Sequence, residues 1–191
     1  MRSKTILVKK RFGEETLSVQ EFIRPNTYMV AEWADAIWSQ SAGVKDYIHR
    51  LHRSVLYDIH SPTASPARQD WHGMRAYFDH GSDTPLISLQ ANDFWAYPSE
   101  TLTNKVGDCD DKCILLVSGL RRRMKNAWCT VGTYQGIGHM WVLVGNHTLL
   151  ETMSQYRSMG REQPPYEPMF RFNDLGVTVL KRLQNTPLER R

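Results

Sequence analysis

The chain reads as one domain of mixed helices and strands, and three features predict it. At 191 residues, 41% hydrophobic and 10% aromatic, it is long enough to bury one full core. Two early stretches repeat apolar residues at helical spacing. A third, Cys113 to Val117 shortly after Cys109, is an unbroken apolar run and is succeeded by short runs that read as strands.

Taken in order, Thr5 to Ile23 alternates loosely around Gly13, which suggests a small hairpin or an extended arm over residues 1–25. Pro25-Asn26 breaks it. Asn26 is placed to cap a helix to about Gln40, with Met29, Trp33 and Ile37 on one face, and Ser41-Ala42-Gly43 ends that helix. A second helix from Val44 to about Ile59 carries Val44, Ile48, Leu51, Val55 and Ile59 at the same spacing. Its His49, His52 and His60 read as surface or core-edge histidines rather than ligands. From Ser61 to Asn92 the pattern dissolves into a long connection with Trp71, Tyr77 and Phe78. After Cys109 a buried helix is expected through Leu120, then a strand over Ala127–Val131 and another from Gly138. A loop through Pro164-Pro165 and Pro168 precedes a last strand at Gly176–Leu180, and residues 186–191 read as a frayed tail.

Composition excludes several classes. The apolar stretch near the N-terminus is three residues long, too short for a secretory signal, and no run approaches the roughly 20 apolar residues of a membrane span. With three cysteines a disulfide framework is not expected, and a reducing, cytoplasmic setting fits. Net charge is +4, owed largely to Arg121-Arg122-Arg123 and Arg190-Arg191. The arginine triplet falls where the Cys109 helix should end, complementing its dipole, and no aromatic-interleaved basic stripe suggests nucleic acid. Cys109, Cys113, Cys129 and His139 lack the short-loop knuckles of structural zinc, so no metal or other cofactor is expected.

The chemistry concentrates in Gly107-Asp108-Cys109-Asp110-Asp111. Asp108 is placed as an N-cap and Asp111 as the acid of a capping-box-like pair. Cys109 then lies in the first turn, where unpaired amides and the dipole favour a thiolate. The three aspartates oppose that, so a protonated histidine partner is required. Cys113 and Cys129 read as core residues. His139 heads a strand on the face of Trp141 and Leu143. Glu151 ends the next apolar run, and it reaches the His139 face if the intervening turn has an odd number of residues, as a three-residue turn with Gly145 and Asn146 would. Otherwise it is an exposed strand-end carboxylate. Cysteine, histidine and carboxylate in this order are the parts of a thiol-dependent acyl-transfer site.

Trp95-x-Tyr97-Pro98-Ser99-Glu100-Thr101-Leu102, Lys105-x-Gly107-Asp108-Cys109-Asp110-Asp111-Lys112, Gly138-His139-Met140-Trp141-Val142 and Leu150-Glu151-Thr152 together resemble the transglutaminase-like cysteine peptidase superfamily. The resemblance spans Trp95 to Thr152, about a third of the chain. It implies a papain-like α+β core in which a nucleophile helix packs on an antiparallel sheet. It also implies Cys109 as nucleophile, His139 as base and then acid, and Glu151 where the superfamily commonly has aspartate. Trp95 is the oxyanion-hole candidate and Tyr97 the second. The function so implied is amide-bond hydrolysis, of peptidase or isopeptidase type, on a protein or peptide substrate through a thioester. The alternatives are transglutaminase-type joining of protein side chains and a catalytically idle, protein-binding member of the fold.

Overall fold

The computed structural model describes residues 7–9, 16–61, 75–78, 85–88, 95–145, 147–153 and 159–180. Trp71 and the tail over 186–191 lie outside the described residues. Near the N-terminus β1 (Leu7–Lys9) pairs antiparallel with β2 (Thr16–Ser18), and a 3-10 turn (Val19–Phe22) follows. Two helices come next, α1 (Tyr28–Ser39) and α2 (Val44–Asp58). Within the long connection, β3 (Arg75–Phe78) and β4 (Pro85–Ser88) form a separate antiparallel pair. The rest comprises α3 (Pro98–Asn104), α4 (Cys109–Arg121), β5 (Ala127–Tyr134), β6 (Ile137–Val144), β7 (Thr148–Leu150), β8 (Met159–Arg161), β9 (Tyr166–Asn173) and β10 (Gly176–Val179).

The last six strands make one antiparallel sheet in the order β10-β9-β5-β6-β7-β8. Helix α4 lies between this sheet and the α1–α2 layer. Every residue from Asp110 to Leu120 is buried, which is why from Cys113 onward its sequence is apolar on nearly every side rather than on one stripe. Gly119 makes the helical side of this sandwich possible. A Cβ there would sit 2.6 Å from the Trp33 ring and 3.3 Å from Leu51, so glycine lets α1 and α2 approach α4 closely. Tyr47 of α2 donates its hydroxyl to the Gly119 carbonyl at 2.8 Å, and burial raises its pKa to about 12. The architecture is therefore α+β, a helix packed on an antiparallel sheet.

Several local expectations shift. The N-cap of α1 is Thr27 rather than Asn26, whose side-chain oxygen instead accepts from Arg122 at 3.0 Å. The buried face of α1 is Val30 and Ala34, with Trp33 and Ile37 packed at its edge and Met29 exposed. Several elements, β3, β4 and β8 among them, had no counterpart in the sequence reading, and for two more the reason is physical. One is α3, which Pro98 at its first position and Glu100 two residues later should have signalled: Glu100 Oε2 accepts the Tyr97 N–H at 2.7 Å. The other is β9, disguised by Pro168. That proline opposes Gly132 where the ladder slips between Val131 and Gly132, an irregularity at which a missing N–H is tolerated.

Candidate active site

Three chain segments converge at the N-terminal end of α4. The end of α2 runs beside the approach to Cys109: His60 N–H donates to the Lys105 carbonyl (2.8 Å), and Gly107 N–H donates to the His60 carbonyl (3.0 Å). Gly107 is required by crowding, since a Cβ there would lie 2.8 Å from the Cβ of Asp111. Asp108 takes the N-cap position with extended dihedrals but makes no side-chain capping hydrogen bond to the helix. Asp111 does not complete a capping box either. It is fully buried, and its Oδ1 accepts the Ala96 N–H at 2.7 Å, pinning the Trp95–Tyr97 strand to the first turn of α4. Cys109 begins the helix and is partly exposed, whereas Cys113 and Cys129 are fully buried. Burial pushes both of those thiols well above the ordinary range, so they are inert core residues.

The segment around Glu151 reaches α4 one turn in, where Thr152 Oγ1 lies 3.5 Å from Cys113 Sγ. Val144 pairs with Thr148, so three residues separate β6 from β7, with Gly145 at φ +62°. That odd count puts Glu151 on the His139 face: its two carboxylate oxygens lie 3.0 and 2.9 Å from His139 Nε2. Glu151 is buried, not an exposed strand end. Its Oε1 also accepts from the backbone N–H groups of Thr152 (2.9 Å) and Met153 (3.2 Å), and Oε2 from the Tyr166 hydroxyl (3.0 Å). A buried carboxylate with this many donors is the satisfied form such a group needs. Rings close the surroundings: Tyr134 lies edge-on to His139 at 6.2 Å between centroids, Trp141 tilts beside it at 6.1 Å, and Tyr166 packs on both Tyr134 and Trp141. Trp141 is itself fixed by donating Nε1–H to Glu162 at 2.7 Å.

The two oxyanion-hole candidates are placed differently. Trp95 is 1% exposed, stacked on Phe172 (centroids 5.4 Å, planes 13° apart) and edge-on to Phe22. Its indole N–H is buried with no hydrogen-bond acceptor among the described residues. Tyr97 precedes α3 and has the Arg24 guanidinium over its ring at 3.6 Å.

Sequence reasoning passed over two residues here. His52, read as a core-edge histidine, is 2% exposed and donates Nε2–H to the Glu151 carbonyl at 2.6 Å; burial depresses its pKa. Lys112 is 2% exposed with Nζ 3.4 Å from Ser61 Oγ, and burial lowers its pKa also. The clue to Lys112 was its position in an otherwise apolar helix, where it has no solvent face. The carboxylates of Asp108, Asp110 and Asp111 offer oxygens within 4.8 Å of one another, a spacing that a hard divalent cation can bridge. Among the described residues, no helix is long and apolar enough to cross a membrane.

Residues 93–167 match the family model of the CEP76 peptidase-like domain, a span that holds α3, α4, β5, β6, β7 and Glu151. No curated protein matches the chain. Two solved structures of LapG from Legionella pneumophila are similar. The calcium-bound form is 15% identical, with 84% of this chain and 91% of LapG covered at a TM-score of 0.44. The EGTA-treated form is 16% identical, with 80% and 86% covered at the same TM-score. Helix α4 and strands β5 to β8 of the antiparallel sheet thus lie within the span that is similar to the CEP76 peptidase-like domain.

Proposed function

We propose that the chain is a cysteine-dependent amide-bond hydrolase working through a thioester, with Cys109, His139 and Glu151 as its catalytic residues. The observation that carries this reading is the buried Glu151 carboxylate held by both oxygens against His139 Nε2, in a chain whose α4 helix begins with a partly exposed cysteine. With Nε2 engaged by Glu151, Nδ1 is the nitrogen that exchanges a proton with the thiol, and the carboxylate stabilises the imidazolium that results.

In the reaction, the Cys109 thiolate adds to the substrate carbonyl and His139 carries the thiol proton. The tetrahedral oxyanion is met by the backbone amides of the first turn of α4. Trp95 is the side-chain donor we assign to it, because its buried indole N–H lacks an acceptor among the described residues. Collapse breaks the C–N bond as His139 gives its proton to the leaving amine, and the acyl group remains on sulfur. Water then adds to the thioester with His139 as base, releasing the acid and restoring the thiol. The substrate class is a peptide or isopeptide bond.

The test is the rate of iodoacetamide alkylation of Cys109 against pH, in the native chain and in His139→Ala. Cys113 and Cys129 are buried with raised pKa values, so labelling reports Cys109. A His-activated thiolate labels fast below neutral pH, and the variant should be about a hundredfold slower near pH 6, where an ordinary thiol is almost wholly protonated. Labelling that rises near pH 8 to 9 in both proteins would sink the catalytic reading.

A further inference from the structure

We infer that His52 on α2 is a positioning residue for the site, acting through the backbone of Glu151; the inference rests on the catalytic reading above. Strand β7 ends at Leu150, whose ladder partner is Val142, so the next carbonyl, that of Glu151, leaves the sheet while still buried. An orphaned buried carbonyl is costly. His52, 99 residues away in sequence, supplies the partner: its Nε2–H donates to that carbonyl at 2.6 Å. A carbonyl can only accept, which fixes the proton on Nε2 in the neutral ring.

The bend so anchored is the one that builds the acid site. Immediately after Glu151 the amides of Thr152 and Met153 turn back onto its own Oε1, and Thr152 Oγ1 lies 3.5 Å from Cys113 Sγ on α4. Helix α2 meets α4 directly through Tyr47 and Gly119. His52 therefore references the carboxylate that orients His139 to the same pair of helices that presents Cys109. A displacement of about 1 Å in such a constellation is enough to lower rates up to a hundredfold. Cys109 and Glu151 come from opposite layers of the fold, and His52 is a buried side chain that joins those layers by a hydrogen bond at the acid itself.

The experiment is the alkylation profile of Cys109 in the full chain for His52→Leu, His52→Asn and His52→Gln, beside wild type and His139→Ala, with folding checked by circular dichroism. Glutamine can present an amide N–H near the position of Nε2, whereas asparagine is polar but too short. The Leu and Asn variants should label about tenfold more slowly near pH 6, while Gln stays within about twofold of wild type. If Leu does not fold, Asn carries the test. Wild-type profiles in the Leu and Asn variants, with His139→Ala collapsed, would overturn the role of His52 and leave the triad standing. A wild-type chain labelling as an ordinary thiol would overturn the triad, and this inference with it.

Discussion

The two ends of α4 each carry three consecutive charged residues, and they use them in opposite ways. At the start, Asp110, Asp111 and Lys112 are 3%, 0% and 2% exposed. At the finish, Arg121 pairs with Asp174 at 2.5 Å, while Arg122 and Arg123 both reach Asp35 of α1, at 2.5 and 3.0 Å. The arginines form ion pairs that open progressively to water, from 6% side-chain exposure at Arg121 to 22% at Arg122 and 37% at Arg123. Their sign suits the helix terminus, but solvent screens them. At the start, water is excluded, and the groups engage fixed partners: Asp111 Oδ1 accepts the Ala96 N–H, and Lys112 Nζ reaches Ser61 Oγ. One end is electrostatic dressing; the other sets geometry.

The comparison breaks most readily at Asp111. Its carboxylate is the acceptor for the buried Ala96 N–H, and Ala96 joins Trp95 to Tyr97 beside the first turn of α4. Asp111→Ala removes the acceptor and strands the donor, which should cost about 1.5–3 kcal/mol in urea unfolding. Asp111→Asn keeps an acceptor oxygen and should recover most of that loss. If both variants unfold at the wild-type midpoint, the buried end is no more structural than the exposed one.

A smaller and sign-specific effect tests the same end through His52. Burial holds its folded pKa below the ordinary value of 6.5, so between the two values the unfolded chain binds more protons than the folded one. Stability tied to neutral His52 is thus intact above 6.5 and is lost as pH falls through it toward the folded value. Between about pH 7.5 and pH 5, wild type should lose more unfolding free energy than His52→Gln, which has nothing to titrate there. Equal losses would mean that His52 is solvated in the folded chain, contrary to its burial.

This contrast also explains what the sequence could and could not show. The helix after Cys109 and the core roles of Cys113 and Cys129 were legible because periodicity and apolar runs are local, whereas Gly145-Asn146 left the turn between β6 and β7 open between two and three residues. Asp111 was misread as a capping acid because local spacing favours that use; its partner, Ala96, lies 15 residues upstream, beyond α3. His52 was left as a core-edge residue for the same reason, its partner being 99 residues away. Pro168 hid β9 because a bulge makes proline acceptable, and a bulge is a property of two strands together.

The smallest effect is expected at Arg123, and it is the sharpest check on the exposed end. Its guanidinium donates to Asp35 Oδ1 at 3.0 Å and lies 5.2 Å from the Trp38 ring, with both ion-pair partners more than a third exposed. Asp35 does not depend on it: the Arg122 guanidinium bonds the same carboxylate and is the first cause of its lowered pKa. Arg123→Ala therefore leaves no buried charge unmatched and should change stability by no more than about 0.5 kcal/mol. A loss several times larger, persisting in high salt, would make this terminus a clasp between α4 and α1 as demanding as the acid end. The division between the two ends would then rest on something other than access to water.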